Sequence, residues 1–252
     1  MLRLGGRFAR VEPRRRMACF VRGLLAGLPR VNCWSIAEYA GEQCPRGMQR
    51  LLSAAVWDED GIRDDLRAYV LEHFADPGAV LVVDETGDLK KGTATVGTQR
   101  QYTGTAGRTE NAQVAVYLTY AAPAGSAFID RALYLPRSWT CDPARCRAAG
   151  VPQETQFATK PALAGEMIGR ALDAGTPAAW VTADETSDAV SMSSCLLKFA
   201  VGAGEGCGFV VVLAGGQAVV EAAEQAAEQV ALGGGVPVSV GSAAVVVAAC
   251  AG

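Results

Sequence analysis

The chain has 252 residues, is half apolar and carries a formal charge of −3. That length suffices for one large domain or two small ones with a buried core, and the apolar content excludes a disordered chain. The net charge does not mark a nucleic-acid binder, but the distribution is uneven. Arg3, Arg7, Arg10, Arg14, Arg15, Arg16, Arg22 and Arg30 crowd the first thirty residues against one acid, Glu12. Residues 187–252 hold one base, Lys198, and five acids. The eight cysteines form no CxxC pair, so a zinc site is not expected, and scattered thiols fit a reduced, cytoplasmic protein. The basic N-terminus has no continuous apolar stretch of signal-peptide type. One histidine, His73, inside a helical pattern argues against Ser-His-Asp or Cys-His catalysis.

Residues 1–76 read as helical. Pro13 stands near the first turn of a helix through RRRMACFVRGLLAGL, which Pro29 follows. Further helices are expected over Ser35–Ala40 and Met48–Val56. A fourth is capped by Asp58, with Ile62, Leu66, Tyr69, Val70 and His73 at helical spacing. Asp76-Pro77-Gly78 closes the segment.

From Ala79 the period changes. Ala79–Val83 is a continuous apolar run, expected as a strand buried on both faces that ends in Asp84, with Glu85 and a turn after it. Gln113–Tyr120 and Ala127–Leu135 are expected strands joined by a hairpin-like turn at 122–126. Pro161–Ala174 reads as a helix, with Gly175 and Pro177 beyond its end and a buried stripe of Leu163, Met167, Ile168, Ala171 and Leu172. Ala178–Ala183 is a fourth strand, ending in Asp184. The order is strand, strand, strand, helix, strand. The last 66 residues differ, with 40 of them Ala, Val or Gly. Gly233–Gly235 and Pro237 interrupt any long helix and make a membrane span a poor reading. Val219–Val230 can form a short helix.

Asp84 and Asp184 are the residues best suited to chemistry. Phosphodiester cleavage or transfer can use two metal ions roughly 3.5–4 Å apart, one activating the attacking oxygen and one stabilising the leaving oxygen. Hard Mg2+ or Mn2+ prefers carboxylate oxygens. Carboxylates at the ends of two neighbouring strands would bridge such ions from a rigid base. Either aspartate alone reads more readily as a turn cap after a strand, and it is the strand order around the pair that favours the functional reading. The stretch 87–111 is rich in Gly, Thr, Gln and Asn and carries Lys90, Lys91, Arg100 and Arg108, a surface that can hold phosphates through backbone N–H groups and basic side chains. A long polar hairpin is the plainer reading. Arg14, Arg15 and Arg16 can contact a DNA backbone or form a solvated helix face.

The stretch VLVVDETGDLKKGTATVGTQRQYTGTAGRTENAQVAVYLTY resembles the catalytic-core signature of bacterial insertion-sequence DDE transposases, and the similarity continues through LYLPRSW, CRAAGVP, FATKP and WVTADE. RFARVEPRRR and EYAGE…GMQRLLS resemble the helical N-terminal region of that family. The resemblance covers roughly residues 7–185. It implies a helical N-terminal region (1–76) that can contact DNA and a partial ribonuclease-H-like α/β core (77–186). It also implies transposon-end DNA as partner, action as a multimer on that DNA, divalent Mg2+ or Mn2+, and Asp84 and Asp184 as the first two acids of the triad.

The chain departs from the family in three places. The second aspartate is commonly followed by an acid and a Tyr-Gly pair, whereas this chain reads Asp184-Glu185-Thr186-Ser187-Asp188. Asp88 stands where an apolar residue is common. The third acid, a glutamate on a downstream helix, has no counterpart; Glu221, Glu224 and Glu228 lie on a plausible helix without the family's surrounding motif. The expectation is an aberrant tail over 187–252, explained most simply by a reading-frame change near residue 186, and a chain defective in catalysis. The competing reading is a non-enzymatic DNA-binding fragment or an inhibitor of an intact transposase.

Overall fold

The computed structural model describes residues 3–183, together with the backbone of three strands at Phe209–Val212, Val238–Val240 and Ala243–Ala248. Two compact units divide the chain after Ala68. No helix among the described residues is long and apolar enough to cross a membrane.

The first unit is helical. After a 3-10 turn at Arg3–Arg7 come α1 (Val11–Leu24), α2 (Cys33–Tyr39) and α3 (Arg46–Ser53), and α4 (Glu59–Phe74) begins here and runs on into the second unit. The helices sit within a few residues of their expected bounds because the sequence marks their ends. Pro13 occupies the first turn of α1, where an N–H has no helical acceptor. Asn32 caps α2 by accepting from the Trp34 and Ser35 amides. Asp58 caps α4, its Oδ1 accepting from the Gly61 amide at 2.8 Å. Phe8, Met17 and Leu51 make one small core, in which Phe8 meets Trp57 edge-on at 5.3 Å. Ile36, Ala37 and Met48 make another. Arg7 ties the unit's ends together, reaching Asp65 through Nε at 2.8 Å and Asp58 through Nη1 at 3.0 Å. The guanidinium's hydrogen bond holds the Asp65 carboxyl below the usual carboxylate range, against the opposing effect of burial.

The second unit is built on a mixed sheet of five strands: β1 (Val80–Leu89), β2 (Gln99–Thr103), β3 (Arg108–Ala122), β4 (Gly125–Leu133) and β5 (Trp180–Ala183). The long β3 is its spine. β1 pairs antiparallel with β3 from Val80↔Ala121 to Leu89↔Ala112, β2 and β4 pair with β3 in turn, and β5 lies parallel to β1. Short helices α5 (Arg137–Thr140) and α6 (Pro143–Ala148) precede α7 (Lys160–Asp173), the crossover to β5. This mixed α/β sheet, following a helical N-terminal region in the chain, is consistent with a partial ribonuclease-H-like core.

One face of the sheet carries the core. Leu81 and Val83, Val116, Leu118 and Tyr120, Ile129, and Val181 and Ala183 pack against Ala164, Met167, Ile168 and Ala171 of α7 and Val70 of α4. At roughly 25 cal/mol per Å2, each fully buried aliphatic side chain here stabilises the unit by about 1.5–3 kcal/mol. Thr159 caps α7 by accepting from the Ala162 amide, and Gly175 ends it with φ +72°, a conformation favourable only to glycine. The Gly175 and Thr176 amides then bond back to Leu172 and Ala171 carbonyls, the two bonds of a Schellman motif. The Tyr120 hydroxyl fixes the entry to β1, accepting from the Asp76 amide at 2.9 Å and donating to its carbonyl at 3.1 Å.

Three expectations change. β1 is not buried on both faces: Leu81 and Val83 are buried, whereas Val80 and Val82 are half-buried. Nor does β1 stop at Asp84. It runs on to Leu89, because the antiparallel ladder to β3 continues past the point where the parallel partner ends. The polar segment Gln99–Thr103 is a strand, adding one to the expected order. Beyond residue 183, β6 (Phe209–Val212), β7 (Val238–Val240) and β8 (Ala243–Ala248) form a small antiparallel sheet with β8 in the middle. The short helix expected at Val219–Val230 lies outside the described residues.

Candidate active site and its loop

Asp84 lies within β1, opposite Tyr117 of β3. Successive strand residues face opposite sides, so Asp84 shares a face with Val80, Val82 and Tyr117, away from α7. Its carboxylate is exposed, and Oδ1 accepts from the Glu85 amide at 2.7 Å. Glu85 points to the other face. There it makes an ion pair with Lys160 at the start of α7, both side chains being largely buried. Lys160 also lies 5.6 Å from the centre of the Tyr134 ring. The two adjacent acids are therefore separated by the sheet itself.

Asp184 and Glu185 lie outside the described residues, as do Glu221, Glu224 and Glu228. The described structure reaches Ala183, and in the parallel register Ala183 is the partner of Val83. The residues immediately before the two aspartates are thus side by side. Among the described residues no three His, Cys, Asp or Glu side chains gather as a metal site. The donor chemistry at Asp84 nevertheless suits a hard cation, since it offers carboxylate oxygens, exposed, on a rigid central strand.

The basic residues of 87–111 differ in their availability. Lys91 and Arg100 are exposed. The Lys90 ammonium stands 3.6 Å from Asp88, and Arg108 is paired with Glu110 at 2.8 Å, which neutralises part of its field. In the helical unit Arg14 and Arg15 are exposed on α1, whereas Arg16 is 3.5 Å from Glu42. A cleft of about 450 Å3 along α1 and α3 is lined by Arg10, Arg16 and Arg50 among others.

Sequence reasoning missed the residues that hold the 90–98 loop in shape. β1 and β2 flank β3 at the same level, since Leu89 and Gln99 both pair with Ala112. The loop joining them therefore crosses β3, on the face that carries Asn111, Gln113 and Asp84. Asn111 Nδ2 donates to the Lys90 and Gly92 carbonyls at 2.6 and 2.9 Å. Gln113 Nε2 donates to the Val96 carbonyl at 2.7 Å. The buried Trp139 donates through Nε1 to the Thr98 carbonyl at 3.0 Å. Arg145 lies over the Trp139 ring, 3.7 Å from its centre, and donates to the Thr93 carbonyl at 2.8 Å. At Gly97, φ is +74° and a Cβ would come within 2.8 Å of the Tyr134 carbonyl oxygen, so the turn takes glycine. The LPRSW motif contains Trp139, and Arg145 stands immediately before CRAAGVP, but nothing in the sequence says which loop they hold.

The comparisons with known proteins agree with this architecture. A family model described as DDE superfamily endonuclease matches residues 3–190. The chain is also similar to the "Probable transposase for insertion sequence element IS701" of Microchaete diplosiphon, with 34% identity over 94 residues. That alignment covers 37% of this chain and 25% of the relative, so the chain spans about a quarter of that protein's length. The family match takes in both the helical unit and the sheet from β1 to β5, with Asp84 and the last described residue before Asp184 inside it, and the chain belongs to the DDE superfamily endonucleases.

Proposed function

We propose that this chain derives from an insertion-sequence transposase that acts on transposon-end DNA by phosphoryl transfer, with Asp84 and Asp184 as the first two acids of its active site. The observation that supports this reading is the parallel register of Val83 with Ala183, the residues that precede the two aspartates in the sequence. A divalent ion held by these carboxylates would supply activation of the attacking oxygen and stabilisation of the leaving one. The chain's own part is to hold Asp84 fixed and exposed. The ladder to β3 does so from both sides of the residue, and the pairing of Glu85 with Lys160 keeps the next carboxylate off the same face. Lys91, Arg100 and the exposed arginines of α1 would meet the DNA backbone, where each neutralised phosphate adds to a salt-dependent affinity. Action as a multimer that pairs two DNA ends belongs to the same reading.

A second reading is favoured by one feature of the sequence. The family's Tyr-Gly pair after the second aspartate has no counterpart at Thr186-Ser187, and under this reading the chain is a DNA-binding fragment, catalytically defective and able to occupy transposon ends. The deciding experiment mixes the purified chain with DNA carrying the cognate ends in Mn2+. Strand cleavage that disappears in Asp84→Asn supports the enzyme. End binding without cleavage supports the fragment. Translating the gene in all frames from codon 180 tests the origin of the tail: a frame restoring a Tyr-Gly pair and a glutamate-bearing helix identifies it as a frameshift product.

A further inference from the structure

The loop from Lys90 to Thr98 has its two sets of backbone groups sorted. Six of its nine carbonyls are engaged: Lys90 and Gly92 by Asn111, Thr93 by Arg145, Val96 by Gln113, Thr98 by Trp139, and Thr95 by the Thr98 amide within the loop. Its amides are not. Among the described residues, none of the N–H groups of Lys91–Gly97 donates a hydrogen bond, while the Lys90 amide, one residue earlier, is bound to the Asn111 carbonyl at 2.8 Å. In a trans peptide the N–H points opposite to the C=O of the same unit, and the chain has no cis peptide. Carbonyls turned inward at Lys90, Gly92 and Thr93 therefore turn the amides of Lys91, Thr93 and Ala94 outward. All three residues are exposed. Lys91 and Arg100 are exposed at the two ends of the loop, with Asp88 as the acid nearest to Lys90.

We infer that Lys91–Ala94 is a preformed phosphate-binding loop for the backbone of duplex DNA, and that Asn111, Gln113, Trp139 and Arg145 are its positioning residues. Outward amides beside basic side chains form an anion-receptive surface, and tying the Lys90, Gly92 and Thr93 carbonyls inward removes three acceptors that would repel a phosphate. The inference rests on the DNA-acting reading above and adds to it the place and means of contact. The loop begins six residues along β1 from Asp84, roughly 20 Å at strand rise. That is about six base-pair steps of duplex at ~3.4 Å each, so the loop grips flanking DNA and not the phosphate that reacts.

The test uses the full chain and a random-sequence duplex. Amide hydrogen exchange at Lys91, Thr93 and Ala94 is measured with and without DNA, and duplex affinity is measured against salt. The expected result is fast exchange in the free chain, slowed about tenfold or more when amides bond charged phosphate oxygens. Gln113→Met keeps side-chain length but removes the donor. It should weaken binding several-fold and reduce the slope of log affinity against log salt by about one phosphate contact. A chain that binds duplex with these amides unchanged overturns the loop and leaves the transposase reading standing, whatever Gln113→Met does to stability. A chain that binds no duplex at low salt overturns both.

Discussion

Replacing Trp139 with phenylalanine should loosen the loop before it unfolds the domain. Trp139 has no solvent exposure, its Nε1 bonds the Thr98 carbonyl at 3.0 Å, and the Arg145 guanidinium lies 3.7 Å from its ring centre. Three losses follow. The Thr98 carbonyl keeps only the longer Arg145 bond at 3.4 Å, and losing a hydrogen bond of this kind costs about 1 kcal/mol. The smaller ring leaves a void where the indole was closely packed, costing about 1–2 kcal/mol. Phenylalanine is also a weaker partner for the guanidinium, by about 0.5 kcal/mol. Together the loss is about 3 kcal/mol, equivalent to roughly 6–12 °C in Tm for a domain of this size. Urea unfolding should show a lower midpoint with an unchanged slope, and amide exchange at Thr98 should quicken more than in the core of α7. If the midpoint corresponds to a loss below about 0.5 kcal/mol, the level of an ordinary surface substitution, Trp139 does not hold the loop and the account of its clamp is wrong.

Other substitutions separate stability from function. Asp84→Asn should change unfolding free energy by less than about 0.5 kcal/mol, because the side chain is exposed and the amide oxygen can still accept from the Glu85 N–H; chemical denaturation beside the cleavage assay checks that lost activity is not lost folding. Arg170→Met removes the guanidinium from the Asp130 carboxylate, whose side chain is 1% exposed and whose Oδ2 takes both Nε and Nη2 at 3.0 Å, while Oδ1 keeps its bond from the Arg131 amide. The cost should be about 2–4 kcal/mol, less than for a wholly buried pair because Arg170 is partly solvated, and adding Asp130→Asn should recover part of it. Arg7→Met should lower the Tm of the helical unit at neutral pH. The Asp65 carboxyl is held low in the folded state by its bond from Arg7, so this stabilisation is present above the unfolded pKa near ~3.9 and is lost as pH falls through the lower folded value. Thermal melts of the two proteins should therefore converge toward pH 2, and a gap that stays constant would refute the assignment.

The fold was legible wherever apolar periodicity and end signals coincided. Pro13, Asp58, Pro161 and Gly175 placed helix ends within a few residues, because each fixes a local backbone problem whatever the tertiary context. The misses share a cause. Asp84–Leu89 and Gln99–Thr103 are strands without apolar alternation, and what makes them strands is pairing with β3, a non-local term absent from any short window of sequence. The proposed site rests on two aspartates that close apolar runs in the sequence, and of these only Asp84 lies among the described residues. The loop's clamp was not legible: Asn111 and Gln113 read as ordinary polar strand residues, and Trp139 and Arg145 reach it from tens of residues away.

The pair Asp84-Glu85 shows how one strand gives neighbouring acids different work. Strand alternation sends their side chains to opposite faces. On the covered face a lone carboxylate would lose water without compensation, and Lys160, delivered by the first turn of α7, provides the partner. That ion pair links the start of the crossover helix to the strand carrying Asp84, so the position of α7 and of β5 after it depends on Glu85. On the open face Asp84 has no such partner among the described residues beyond its own backbone neighbour. An unneutralised carboxylate fixed on a rigid strand adds little to stability, and its exposed oxygens stay available to a cation. Exchanging the two residues would keep composition and charge while moving the longer acid to the open face and withdrawing the shorter one from Lys160. Under the proposed function the order Asp then Glu is part of the site: the shorter side chain, with less rotational freedom, stands where a cation would be held, and the longer one where a helix must be reached.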